Sequence, residues 1–157
     1  MIDLKQEYEK LSKKYNLPKY EELDDQFELL YFHQIIEIKY PLRFVRRRMF
    51  DKINSFIVFL QNLVNPNPAS LISLEESKFF SDEEKNEIIS LIREMIKLER
   101  QSVLIDLSST EEKEAKFIKE VYSFWKKHKE KIYKINQKIK ENWEKETTSD
   151  EKETLYG

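Results

Sequence analysis

Residues 110–145 read TEEKEAKFIKEVYSFWKKHKEKIYKINQKIKENWEK, a run with no glycine and no proline. Within it Ile118, Val121, Trp125, His128, Ile132, Ile135 and Ile139 alternate spacings of three and four. That is heptad spacing held for about three repeats, the mark of one apolar face on a long α-helix with a coiled-coil-like seam. Lys126, Lys127, Lys129, Lys131 and Lys134 fall off the seam and suit a solvated outer face. Ser109 and Glu112 form a capping-box pattern at the start. From 146 to 157 the chain is too polar to pack, which predicts a disordered tail. Such a helix would be about 50 Å long, against a diameter of roughly 40 Å for a compact chain of this size. Its far end is therefore expected to overhang, exposing Ile135, Ile139 and Trp143 as an apolar strip for a partner helix.

Working toward the N-terminus, Ser81 with Glu84 gives a second capping box. The helix it opens carries Ile88, Leu91, Ile92, Met95, Leu98, Ser102 and Ile105 on one face. A short helix is expected over 71–78, after the Asn65-Pro66-Asn67-Pro68 loop. Pro41 suits a first helical position, so a third helix is predicted over 41–64, with two apolar stripes that need partners on both sides. An opening helix over 3–15 stops near Asn16, because Leu17 precedes Pro18 and is pushed out of the α region. A second helix starts near Lys19, with Leu23, Phe27, Leu30, Gln34 and Ile38 at helical spacing and a break between Glu28 and Gln34. No alternating run signals a strand. The expected fold is all-α, an up-and-down bundle of about four main helices with shorter additions, as one domain over 1–145.

Composition removes several chemistries. The 157 residues contain one glycine, Gly157, and no cysteine. Phosphate-cradling loops need internal glycines, and disulfides, thiolate nucleophiles and cysteine-bound metals need cysteine. The most apolar windows, 29–38 and 53–64, are broken by His33, Gln34, Glu37, Asn54, Gln61 and Asn62, so neither reaches the roughly 18 apolar residues of a membrane span. The expected compartment is the cytoplasm. A net charge of −2 gives no global attraction to nucleic acid.

His33 and Glu37 stand four apart and could supply two metal ligands, although a histidine pairing with a neighbouring carboxylate is the simpler reading. His128 reads as a seam histidine. No Glu-x-x-His pair supports a di-iron bundle, so neither a metal nor a cofactor is predicted. Arginine is the more informative residue. In a lysine-rich chain Arg43, Arg46, Arg47 and Arg48 crowd one and a half turns, and Arg93 and Arg100 lie seven apart. Arginine marks positions that need a planar, multi-donor fork. Pairing with Asp24, Asp25, Glu28, Glu37 or Asp106 is one use; an anion or partner site is the other. Arg46, beside Val45 and Met49, should face inward toward an acid of another helix; Arg43 and Arg47 share a face with Asp51; Arg48 should be the most exposed.

The stretches 15–28 (YNLPKYEELDDQFE), 46–48 (RRR), 76–85 (ESKFFSDEEK) and 115–122 (AKFIKEVY) resemble a group of small archaeal all-helical proteins with no assigned activity. The resemblance implies an archaeal source and supplies no catalytic residues. The expected function is a helical interaction or assembly module without catalysis, with a protein partner or a second copy. Alternatives are an RNA-associated accessory protein using Arg43, Arg46, Arg47 and Arg48, and a small-anion binder or enzyme.

Overall fold

The computed structural model describes residues 3–29 and 39–156, with side chains through Lys145. It contains α1 (Leu4–Tyr15), α2 (Tyr20–Phe27), α3 (Pro41–Val64), α4 (Leu71–Lys78), α5 (Asp82–Leu107) and α6 (Glu111–Tyr156). No strand occurs among the described residues, and the fold is the all-α bundle that the spacing predicts.

Most boundaries have a local cause. Asp3 caps α1 by accepting from the Lys5 amide, and Asn16 ends it in the left-handed region at φ 52°. Asparagine is one of the few residues with a β-carbon that enter that region readily. Glu28 ends α2 with the same dihedrals, which puts the expected break in the second segment at its earliest position. His33, Glu37 and the rest of 30–38 lie outside the described residues. Pro41 opens α3 at its first turn. The Ser81–Glu84 capping box is fully formed, with both hydrogen bonds at 3.1 Å. The start of α6 differs by one residue from expectation. Thr110, not Ser109, accepts from the helix, at 3.2 Å from the Lys113 amide, because the Ser109 hydroxyl is turned inward onto Glu114 at 2.9 Å.

The described backbone of α6 is helical to Tyr156. Nothing between 146 and 156 breaks a helix: glycine and proline are absent, and Glu and Lys favour one. No described helix is long and apolar enough to cross a membrane.

Helix α3 is the centre of the bundle and packs against α1, α2, α4, α5 and α6. Its Leu42, Val45, Met49, Ile53, Ile57, Leu60 and Leu63 are buried, joined by Ile88, Leu91, Ile92 and Met95 of α5 and Ile118, Val121 and Trp125 of α6. Trp125 lies 5.6 Å from both Phe27 and Phe56, and its indole N–H donates to Gln26 at 3.0 Å. The aromatic tie thereby fixes α2 to both α3 and α6. Tyr8 and Tyr20 meet edge-on at 5.6 Å and do the same for α1 and α2.

Candidate functional site

Of the residues singled out in the sequence, Arg46 has the most demanding environment. It sits on the buried side of α3 and is wholly enclosed, 0% exposed. Its Nε donates to Glu114 Oε2, Nη1 to the Ser102 hydroxyl at 2.6 Å, and Nη2 to Asp106 Oδ1 at 2.5 Å and Glu114 Oε1 at 3.3 Å. Glu114, in the first turn of α6, is itself buried and also accepts from Ser109. Helices α3, α5 and α6 therefore meet on one guanidinium. Burial alone would lower the Arg46 pKa, but the hydrogen bonds it donates to Glu114 and Asp106 outweigh that and raise it. Asp106 shows the converse: burial pushes it up, and the hydrogen bonds and charges of Arg46 and then Arg47 carry it below the ordinary carboxylate range.

The neighbouring arginines divide. Arg47 reaches Asp106 at 3.2 Å with its side chain 59% exposed, whereas Arg48 is 24% exposed and lies 3.6 Å from Asp51. Two expectations are thereby corrected: Arg47 and not Arg48 is the exposed member, and Asp51 serves Arg48. The cause is Asp106, which approaches from α5 on the side of Arg46 and Arg47 and takes both. Arg43 Nε lies 3.7 Å from Glu114 Oε1, within ion-pair reach, but it has no hydrogen-bond partner. Its guanidinium stacks over Tyr40 at 4.5 Å, and both line a cleft of about 230 Å³ with Lys39, Thr110 and Glu111.

Ile135, Ile139 and Trp143 do not form the expected exposed strip. Ile135 and Ile139 are buried, and Trp143 is half-buried, edge-on to Phe79 at 5.4 Å with its indole N–H on Glu76 at 3.1 Å. The turn between α4 and α5, with Phe79 and Phe80, extends the bundle under α6 and covers the seam. His128 packs on Phe124 at 4.5 Å, its Nε2 lying 3.1 Å from a Glu94 carboxylate oxygen. No group of three or more metal-ligating side chains occurs among the described residues.

Leu71 and Ile72 at the start of α4 are exposed, and a longer open surface is the solvent face of α5. Arg93 and Arg100 are both exposed there, and neither has an ion-pair or hydrogen-bond partner among the described residues. Val103, Leu104 and Leu107 follow on the same helix, 45%, 66% and 80% exposed. Ile89, Arg93, Ile96, Arg100, Val103 and Leu107 alternate spacings of four and three, so they form a second seam that flanks the core stripe, with Ile89 and Ile96 half-buried and Ile96 packed against the core. The sequence signal was present. It was hidden by the stronger stripe through Ile88, Leu91, Ile92 and Met95, which accounts for the helix without a second face. Compared with models of known families, with curated proteins and with solved structures, the chain matches none.

Proposed function

We propose that this protein is a helical interaction module that presents the solvent face of α5 to a protein partner. The observation that carries the reading is the pair Leu104 and Leu107, 66% and 80% exposed and continuous with Arg93 and Arg100. Isolated apolar side chains on a surface need no explanation, but a contiguous apolar run beside arginines without acidic partners has the composition of an interface core. The alternative of nucleic-acid binding through Arg43, Arg46, Arg47 and Arg48 is weaker, because Arg43, Arg46 and Arg47 are directed at Glu114 and Asp106. A photo-crosslinking residue at position 107 tests the proposal. Discrete, protease-sensitive adducts should form in cells, vanish with Leu104→Glu and be missing when the crosslinker sits at Lys127; equal labelling at both positions would end it.

A second reading, small-anion binding, has one observation in its favour: the Arg43 Nε that lacks a hydrogen-bond partner in the cleft with Lys39. Titration with inorganic phosphate should then shift the backbone resonances of Tyr40 and Arg43, and no shift at millimolar phosphate would dismiss it.

A further inference from the structure

Resting on that reading, we infer that the occupant of the α5 face is an acidic amphipathic helix of about five turns, lying along α5. The seam from Ile89 to Leu107 is 18 residue steps, about 27 Å at helical rise. That length suits a helix laid lengthwise better than a loop touching one point. Charge fixes the chemistry. Arg93, Lys97 and Arg100 are exposed on this face; of the acids of the same stretch, Glu87, Glu94 and Asp106 are drawn to other helices, and Glu99 alone borders the seam, beside Ile96 and Val103. Glu87 is within ion-pair distance of Lys131, Glu94 of His128, and Asp106 of Arg46 and Arg47, all directed off the seam. The middle of the face thus carries Arg93, Lys97 and Arg100 against Glu99 alone, and a guanidinium fork is matched by a carboxylate. The C-terminal end is aliphatic, which asks for aliphatic side chains one or two turns further along the partner.

Two other occupants fit less well. A second copy pairing along the same face, parallel or antiparallel, would gather Arg93, Lys97 and Arg100 of both chains against one Glu99 from each, an excess of like charge that disfavours association. Single-stranded nucleic acid would be served by the arginines, but its bases stack on aromatic side chains, and the apolar end of this face is Val103, Leu104 and Leu107.

The test uses the full chain and two synthetic peptides of about 21 residues, three heptads with a leucine seam, flanked by glutamate in one and by lysine in the other. The glutamate peptide should bind at least about tenfold more tightly, with backbone NMR shifts confined to 89–107. Arg93→Glu with Arg100→Glu should reverse the preference, and Leu104→Glu with Leu107→Glu should weaken both peptides without moving the melting temperature. Equal affinity for the two peptides, still lost with Leu104→Glu, would overturn the acidic partner and leave the interaction reading standing. Failure of both peptides to bind would overturn the inference, and the crosslinking result at position 107 then decides the reading beneath it. Tighter binding of an oligouridine of about 20 nucleotides through Arg93 and Arg100, or self-association abolished by Leu104→Glu, would also overturn it, in favour of RNA or of a second copy.

Discussion

Replacing Arg46 with alanine should be among the most damaging single changes in the molecule, and its cost can be worked from the contacts. The substitution removes the guanidinium that holds Glu114, Asp106 and Ser102. Asp106 can rehydrate, since its side chain is 41% exposed. Glu114 cannot, because its side chain is 3% exposed, and only the Ser109 hydroxyl and the more distant Arg43 remain to it. Breaking a buried ion pair from one side costs about 3–5 kcal/mol; Arg43 at 3.7 Å places this case near the lower end. For a domain whose stability is of order 5–15 kcal/mol, that is a large fraction. The melting temperature should fall by roughly 6 to 20 °C, and the urea midpoint should fall with an unchanged slope. Arg46→Met combined with Glu114→Met removes both charges and should recover most of the loss, since apolar replacement of a whole buried pair is commonly near neutral. A loss below about 1 kcal/mol for Arg46→Ala, or a double variant no more stable than the single one, would refute this account of the network.

Trp143→Ala should lower stability by about 2 kcal/mol, less than for a fully buried tryptophan, because Trp143 seals the α4–α5 turn; a urea titration reads this directly. Tyr20 is buried and its hydroxyl has no hydrogen-bond partner, so Tyr20→Phe should be neutral or stabilising by up to about 1 kcal/mol. Tyr8 donates to the Pro18 carbonyl at 2.7 Å, so Tyr8→Phe should cost about 1 kcal/mol in the same assay. Burial pushes the Tyr20 phenol up to about 12, which penalises its ionised form in the fold, so Tyr20 leaves stability unchanged below about pH 10 and lowers it as pH rises from there toward that native value. Lys138 and the Ser81 amide lower the Glu84 pKa, Tyr15 and Lys14 lower that of Glu111, and Arg46 and Arg47 lower that of Asp106. These carboxylates therefore stabilise the fold above about pH 4.5, and their contribution is lost as pH falls through the depressed native values. The urea midpoint should drop steeply on that acid limb, and less steeply in Asp106→Asn.

What could be read from the sequence was governed by short-range chemistry. Pro41, Asn65-Pro66, Ser81 with Glu84, and Leu17-Pro18 act within a turn of themselves, so the end of α1, both ends of α3 and the start of α5 followed from them. The inward orientation of Arg46 was also legible, because it flanks Val45 and Met49 on the buried side. Its partner was not. Glu114 shares the first turn of α6 with Glu111 and Glu112, where any acid suits the helix dipole. Yet Glu114 stands four before Ile118 and seven before Val121, so it continues the buried stripe by one turn, and a charge there requires a mate. The fate of Trp143 was hidden for another reason. A sphere of the same residue number is shorter than α6, while the turn bearing Phe79 and Phe80 lengthens the bundle on that side. The free face of α5 needed the fold itself, since only packing shows which of two stripes on one helix is left uncovered.

The central position of α3 bears on how the chain responds to damage. Because α1, α2, α4, α5 and α6 all lean on the same helix, no cut through the loops yields a piece that keeps its own interior. A chain severed in the 65–70 loop would leave α3 bare on one side and α5 with α6 bare on the other. The molecule is in this sense indivisible. A lesion at either end of the bundle should surface as a loss of stability throughout, still in one cooperative transition, with no independently stable half to which it can retreat.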